Sequence, residues 1–192
     1  MSIVSNGHFI DREITNAVSA ANQKYHQANL DIFEIWKSKM LFSWFWWFDL
    51  ALTVLPWIFW FMVRKKENTH RLLHGGFVVL ILASFFDMLG MSLGLWGYNA
   101  HLIPVIPPYF PWDFTLMPVV AMLFYQYRPN LNPFIKAIVF SAIASFVIQP
   151  FFAWVGLYNP QGWRHEFSFP IIIVIYLIGY GFTRAQSFKD LS

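Results

Sequence analysis

The sequence contains no cysteine, and only 12% of its 192 residues are charged, against about 25% in typical soluble domains. The absence of cysteine excludes disulfides, thiolate metal sites and thiol catalysis. A hydrophobic content of 57% argues against a soluble domain, because a soluble chain of this length leaves roughly a third of its surface in water. The sequence therefore predicts an integral membrane protein whose surroundings include membrane lipid.

Several functional motifs are also lacking. The sequence has no phosphate-binding glycine loop, nucleophile elbow or zinc-protease motif. His74 and His101 stand alone near opposite ends of apolar runs, so we expect no metal site and no cofactor. Lys and Arg lie at the ends of apolar runs instead of along one face, which argues against a nucleic-acid partner despite the net charge of +3. Residues 1–7 contain no Lys or Arg, so we expect no cleavable signal peptide.

Long apolar runs dominate what remains. A membrane-spanning helix needs about 20 mostly apolar residues. Five runs approach or exceed that length, and they cover residues 41–63, 72–96, 112–127, 134–157 and 169–183. The third and fifth runs are short, and they can cross only if the bilayer thins locally or flanking aromatic residues lie in the headgroup layer. We therefore predict an all-α, polytopic transmembrane helical bundle of about five spans.

Basic residues indicate the orientation, because short loops rich in Lys and Arg stay in the cytoplasm. Eight basic residues fall on alternate sides of the five runs: Arg64, Lys65, Lys66, Arg71, Arg128, Lys136, Arg184 and Lys189. The other side has no Lys or Arg over residues 97–112 and only Arg164 after the fourth run. This pattern predicts an external N-terminus and a cytoplasmic C-terminus.

The N-terminal part differs in character from the rest. Between Phe9 and Trp36, large apolar residues recur near multiples of the helical turn, with polar residues between them. We predict an amphipathic helix on the outer membrane surface, within an N-terminal segment of residues 1–40 that precedes a transmembrane domain of residues 41–192. The alternative is a solvated tail that orders only against the bundle. Four prolines within residues 99–111 predict a stiff, extended outer loop.

Three acids lie inside or at the mouth of the predicted spans, where ionisable groups are costly and point to function. Asp49 lies roughly 12 Å and Asp87 roughly 14 Å below the outer ends of their spans, at a helical rise of about 1.5 Å per residue. Gln149 lies at a similar depth, and Asp113 lies at the outer mouth of the third span. No Lys or Arg accompanies them, and an apolar setting favours the neutral acid, which can donate a proton. For Asp49 and Gln149, a structural role in hydrogen bonding between helices explains a polar residue inside the span as well as a functional role does.

Aromatic residues make up 21% of the chain. Most of them fit an interfacial belt and ordinary packing, whereas a minority facing the acids would stabilise a cation through their ring faces. Small residues recur four apart at Gly90 and Gly94, and at Ala137, Ser141 and Ser145. These are helix-contact signals, through which the chain can form oligomers.

From about Leu41 onward the chain resembles a family of small bacterial multi-pass membrane proteins to which no activity is attached. The resemblance rests on Leu95-Trp96-Gly97-Tyr98, on Pro111-Trp112-Asp113-Phe114 with Pro118, and on Ser168-Phe169-Pro170 at the start of the last span. It implies the plasma membrane of a bacterium as the location.

A second, local resemblance covers about a sixth of the chain. It rests on Asp87, then Gly94 and Trp96, then Tyr98-Asn99, then Pro111-x-Asp113. This order is similar to that in the membrane lycopene cyclase domain, whose pattern is an Asp, a Gly-x-Trp, an aromatic-Asn pair and a Pro-x-Glu-Glu. Asp113 replaces the first Glu and Phe114 the second, so the second acid is missing unless Asp49 supplies it. The resemblance implies a redox-neutral cyclisation in which a buried acid protonates a carbon–carbon double bond of an isoprenoid.

Two functional interpretations follow. In the first, the chain is a membrane-embedded isoprenoid or carotenoid-like cyclase, with Asp87, Asp113 and Asp49 as catalytic acids. Its ligand-contacting residues are then Trp96, Tyr98, Asn99, Trp112 and Gln149. In the second, the chain is a non-catalytic protein that captures a small lipophilic ligand or serves a transporter, although an early Ala-x-x-x-Ala face typical of such proteins is lacking. Structural, signalling or envelope roles, which leave no mark in the sequence, complete the alternatives.

Overall fold

The computed structural model describes residues 11–104, 106 and 108–185. Its first helix, α1, covers Arg12–Ile35 and continues as a π-helical turn over Trp36–Met40. Asp11 accepts a hydrogen bond from the backbone N–H of Glu13 and so begins the helix. No residue of α1 is buried. A helix is confirmed here, whereas its position on a membrane surface stays a prediction; residues 1–10 of the predicted segment, together with Pro107 and Lys189, lie outside the described residues.

Six further helices follow. They are α2 (Trp44–Val63), α3 (Thr69–Ser92), α4 (Met117–Gln126), α5 (Pro133–Ile143), α6 (Gln149–Val155) and α7 (His165–Thr183). A 3-10 turn over Lys66–Asn68 precedes α3, a π-helical segment over Pro111–Leu116 leads into α4, and another over Ala144–Ile148 joins α5 to α6. The two short strands β1 (Gly97–Tyr98) and β2 (Tyr158–Asn159) pair antiparallel. Among the described residues the fold is thus an all-α bundle with one small ribbon.

Local chemistry sets the ends of these helices. Ser43 begins α2 by accepting a hydrogen bond from the backbone N–H of Trp46, and Asn132 does the same for α5, with Pro133 at its first position. Gly156 ends α6 in the left-handed conformation, at a φ of 86°. An L side chain adopts that conformation only with strain, so glycine is the natural residue there.

The helices of the bundle alternate in direction. The Gln126 amide at the end of α4 donates to the carbonyl of Val63 and accepts from the N–H of Lys65, which places the ends of α2 and α4 together. The β1–β2 ribbon joins the loops that follow α3 and α6 at the opposite end. We call the first of these the basic end, since residues 64–66 and 128 lie there, and the second the ribbon end.

Four helical stretches are long and apolar enough to cross a membrane: Trp44–Val63, Lys66–Ser92, Pro133–Val155 and His165–Thr183. The third predicted span is the exception. Its π segment and α4 contain 6 and 10 residues, which rise only about 24 Å, short of a hydrocarbon core of about 30 Å. It is also the most enclosed of the five, with Met117, Val119, Ala121 and Met122 all buried. Protein, more than lipid, surrounds this helix.

Packing between helices accounts for the small residues. Gly75 and Gly179 allow α3 and α7 to approach closely, since a Cβ on Gly75 would lie 2.8 Å from the carbonyl oxygen of Gly179. Ala137, Ser141 and Ser145 are buried within the chain. Gly90 instead receives the Trp96 ring from the loop that follows its own helix. Gly94 lies beyond the end of α3 with no described atom within 4 Å of a Cβ there, so Gly90 and Gly94 do not form the predicted helix-contact pair. The face of Ala137, Ser141 and Ser145 is occupied inside the chain, and oligomer formation through small-residue faces stays a prediction.

Candidate functional site

Asp87 is the centre of a hydrogen-bond cluster near the ribbon end of α3. One carboxylate oxygen accepts from the indole N–H of Trp96 at 2.7 Å and from the hydroxyl of Tyr98 at 2.8 Å. The other accepts from the backbone N–H of Tyr109 at 3.1 Å. Three donors converge on this carboxylate, although its residue is only 6% exposed. Such an arrangement stabilises the ionised acid.

Asp113 lies within hydrogen-bonding contact of Asp87. Two carboxyl groups can share a hydrogen bond only if one of them carries a proton. Asp113 is 1% exposed, and its Oδ2 has no partner in the described part of the chain. Because three donors already satisfy Asp87, the shared proton belongs on Asp113. With the proton on Asp113, that acid would be neutral and would donate to the Asp87 carboxylate.

The backbone at Asp113 is a wide π-helical segment, which is a geometry found often at functional sites. Such a segment leaves carbonyls without their usual helical partners. The carbonyl of Phe114 accepts instead from the indole N–H of Trp57 at 3.1 Å, and the hydroxyl of Thr115 donates to the carbonyl of Thr53 at 3.0 Å. Both contacts fix the segment against α2, so Asp113 is held by tertiary structure.

Asp49 belongs to the same network through Tyr109. The hydroxyl of Tyr109 donates to Asp49 Oδ1 at 2.5 Å, while the N–H of the same residue donates to Asp87. Asp49 is fully buried, and its Oδ2 has no partner. Tyr109 therefore connects acids from two helices, and Asp49 is a neighbour of the pair rather than its second member.

A cavity of about 70 Å³ adjoins the acid pair. Asp87, Asp113 and Gln149 contribute its polar lining. Gln149 directly follows the π-helical segment over Ala144–Ile148, and its buried Oε1 has no partner among the described residues. Unpartnered Asp113 Oδ2 and Gln149 Oε1 are costly in an apolar interior. A ligand or water in this cavity can bind them.

Three tryptophans line the same cavity: Trp96, Trp112 and Trp163. The ring centroids of Trp96 and Trp163 lie 5.0 Å apart. The indole N–H of Trp163 donates to Ser168 at 2.9 Å, which anchors this loop residue to α7. A positively charged species in the cavity would therefore face several aromatic rings, a favourable contact for a cation.

Below these tryptophans, Tyr98 and Tyr109 stack at a centroid distance of 4.4 Å, with Phe152 edge-on to Tyr109. Burial raises the pKa of Tyr98 well above its usual value, and the nearby Asp87 and Asp113 raise it further. Tyr98 therefore remains a neutral hydrogen-bond donor. Burial also lowers the pKa of His101, which lies beyond the cavity in the loop. No Lys, Arg or His lines the cavity among the described residues.

The structure brings together six of the eight residues predicted for the site: Asp87, Asp113, Trp96, Tyr98, Trp112 and Gln149. Asp49 and Asp87 are buried, as predicted. Asn99 lies apart, since its side-chain amide donates to the carbonyl of Gly156 at 2.9 Å and links the two loops. Its role in ligand binding stays a prediction.

Sequence reasoning missed Tyr109 and Trp163. Tyr109 lies in the proline-rich stretch that was predicted only as a stiff outer loop. Its position four residues before Asp113 was the available signal, because the backbone N–H of Asp113 donates to the Tyr109 carbonyl and opens the helical segment. Trp163 had no comparable signal, since its partners Trp96 and Ser168 come from different parts of the chain.

Comparison with protein-family models, curated proteins and solved structures gave no match to this chain.

Proposed function

We propose that this protein is a membrane-embedded acid–base catalyst that acts on an unsaturated lipophilic substrate, with the cyclisation of an isoprenoid as the specific reaction. The observation that carries this proposal is the contact between Asp87 and Asp113 beside a cavity lined by tryptophan. A proton donor and a proton acceptor lie side by side there, in apolar surroundings. Acid-initiated chemistry on a carbon–carbon double bond needs both groups.

The two acids take different roles. Asp113 is the proton donor, because it holds the shared proton and has an oxygen without a partner. Asp87 accepts a hydrogen bond from neutral Asp113 and so positions the proton, while Trp96, Tyr98 and the Tyr109 N–H donate to the Asp87 carboxylate, whose charge attracts the cation that forms. This replaces the expectation that Asp49 supplies the second acid, since Asp49 contacts Tyr109 instead.

The reaction is balanced without an oxidant or reductant. Asp113 transfers its proton to one carbon of a terminal double bond, and the positive charge develops on the other carbon. A second double bond of the same chain attacks that carbon, so that a ring closes. Carboxylate oxygen of the acid pair then removes a proton from a neighbouring carbon, which restores the acid and gives a product isomeric with the substrate. The indole faces of Trp96, Trp112 and Trp163 stabilise the cation between these steps.

The cavity accommodates only the reacting end of such a substrate. One water molecule needs about 10–15 Å³ by the same measure, so about 70 Å³ holds roughly five to seven heavy atoms. One isoprene unit has five carbons. The remainder of a longer chain must therefore extend beyond the cavity.

The experiment compares lipid extracts of cells with and without the gene by mass spectrometry. We expect a product that has the mass of its precursor and a different retention time. In Asp113→Asn this product should fall by about 10²–10⁴-fold, because general acid catalysis is typically worth that much. The exposed variant Asp31→Asn is the matched control and should retain full activity. Normal product formation by Asp113→Asn would refute the proposed role.

Asp87→Asn should behave differently from Asp113→Asn. Both carboxylate oxygens of Asp87 accept hydrogen bonds, and Asn replaces one of them by an NH2 group that cannot accept. At least one of the three donors therefore loses its acceptor. We therefore expect Asp87→Asn to lower both activity and thermal stability.

Capture of a lipophilic ligand is the alternative, and the same extracts distinguish it. A captured ligand co-purifies with the protein and has the same mass and retention time as in cells without the gene. In that case Asp113→Asn changes the amount of ligand that co-purifies. Neither the original protein nor the variant yields an isomer of the ligand.

For the orientation, we propose an external N-terminus and a cytoplasmic C-terminus in the plasma membrane of a bacterium. The gathering of Lys65, Lys66 and Arg128 at one end of the bundle supports this proposal. A reporter fused after Lys66 should read cytoplasmic, and one inserted at Asn99 should read external. An external signal after Lys66 would reverse the orientation.

A further inference from the structure

A second cleft lies far from the acid pair, at the basic end. It has a volume of about 740 Å³ and opens between the end of α4 and the start of α5. Leu123, Phe124, Ile135 and Val139 provide most of its apolar lining. Ile135 and Val139 are 50% and 45% exposed, so the packing of the chain itself leaves this surface uncovered. This size and lining are those of a site for a small molecule.

Cations surround the cleft. Lys65, Arg128 and Lys136 all contribute to its lining, and no Asp or Glu does among the described residues. Two hydrogen bonds within the chain already occupy part of the Lys136 ammonium, which donates to the carbonyls of Phe124 at 2.9 Å and Tyr127 at 2.5 Å, at the end of α4. Lys65 and Arg128 are exposed. Neither forms a salt bridge among the described residues, so both side chains are available for an anion.

The backbone of Arg128 provides an independent observation. Its φ is 42°, in the left-handed region that an L side chain adopts with strain. Pro129 follows directly, and a residue before proline favours an extended backbone. Such strain persists only where the surrounding structure imposes it, and it is found often at ligand sites. Here it places a guanidinium at the rim of an apolar cleft.

We propose that this cleft binds one anionic phospholipid, with its phosphate at Arg128 and Lys65 and an acyl chain along the apolar lining. A guanidinium and an ammonium are the groups that proteins use for phosphate. An acyl chain matches the apolar surface between α4 and α5, whereas a free phosphate would leave that surface exposed. The site is separate from the acid pair, and this inference does not depend on the proposed reaction.

The test uses the purified full chain in detergent micelles and counts bound lipid by native mass spectrometry. The probes are dioleoylphosphatidylglycerol, dioleoylphosphatidylcholine and inorganic phosphate. We expect the phosphatidylglycerol to saturate at one molecule per chain and to bind at least tenfold more tightly than phosphatidylcholine. Equal binding of the two lipids would overturn the proposal, and so would inorganic phosphate that displaces the lipid at millimolar concentration.

Three charge variants and one pair of apolar variants locate the site. Lys65→Gln and Arg128→Gln should each weaken phosphatidylglycerol binding roughly 5-fold, since a basic residue near an anionic headgroup is worth about that factor. Lys66→Gln is the control for Lys65→Gln, because Lys66 is the exposed neighbour in sequence and does not line the cleft. An equal loss in Lys66→Gln would show diffuse attraction to charge and would overturn the proposed site.

The apolar pair tests the lining of the cleft. Val139→Trp should fill the cleft and reduce binding at least fivefold, whereas Ile138→Trp should leave it unchanged. Both residues are exposed on the same helix, and only Val139 lines the cleft. Unchanged binding in Val139→Trp would show that the acyl chain lies elsewhere.

Discussion

Replacing Gly90 by alanine tests whether the Trp96 ring packs against Gly90 while its indole N–H donates to Asp87. A Cβ at residue 90 would lie 2.0 Å from two atoms of the Trp96 ring and 2.5 Å from a third. The ring must therefore retreat by roughly 1.4 Å to reach an ordinary contact, which strains or breaks the 2.7 Å hydrogen bond from its indole N–H to Asp87. The Trp96 ring also contacts Asp87 and Trp163, so a movement away from Gly90 disturbs these contacts as well.

The magnitude follows from two costs and one gain. Overpacking costs about 1–3 kcal/mol, and loss of a hydrogen bond to a charged group costs about 1.5–3 kcal/mol. Alanine returns up to about 1 kcal/mol through its higher helix propensity. With the full gain subtracted, the net loss is about 1.5–5 kcal/mol, which lowers the melting temperature by roughly 3–20 °C for a chain of this size.

Gly181→Ala is the matched control. Gly181 is also helical, but a Cβ there would have no atom within 4 Å. The control should therefore keep or slightly raise the melting temperature. Thermal unfolding of purified protein in detergent, followed by circular dichroism, measures both variants. A Gly90→Ala protein as stable as Gly181→Ala would refute the packing of Trp96 against α3, and with it the lining of the proposed cavity.

Three further outcomes are expected. Tyr109→Phe removes the hydroxyl that donates to Asp49 and leaves that buried acid without a partner, so thermal unfolding should show a loss of about 1–3 kcal/mol; unchanged stability would contradict the link between the two helices. Burial lowers the pKa of His101 below its usual 6.5, so the unfolded chain takes up a proton that the folded chain rejects. Stability should thus be complete above about pH 6.5 and decline as the pH falls below it, and melting curves of His101→Gln should show a smaller decline. Arg128→Gly relieves a left-handed φ of 42° and should raise stability in lipid-free detergent by about 1 kcal/mol, whereas a decrease would show that the arginine side chain itself holds the loop.

The bundle was predictable because lipid imposes a simple rule on sequence: a spanning helix must be long and apolar. Four of the five predicted spans meet that rule in the structure. The third does not, since α4 and the π segment before it are short. In addition, α4 packs against α3, and the π segment packs against α2. A window of hydropathy cannot distinguish a helix covered by lipid from one covered by protein.

The site was predictable where its residues are close in sequence, or where they lie at a similar depth below the outer ends of their predicted spans. Asp87 binds Trp96 and Tyr98, which follow it by 9 and 11 residues. Tyr109 and Asp49 are 60 residues apart, and nothing in the sequence specifies that separation. The contact between Asp87 and Asp113 depends on how the π segment turns the helix, a geometry that hydrophobic periodicity does not encode.

The double contact of Tyr109 also affects the order of biosynthesis. Tyr109 follows Asp49 by 60 residues, so α2 reaches the membrane before the hydroxyl that donates to Asp49 is in place. An acid in that state is expensive in lipid. We therefore expect chains that stop before residue 109 to be degraded faster than the complete protein, because Tyr109 and the third helix supply the partner of Asp49.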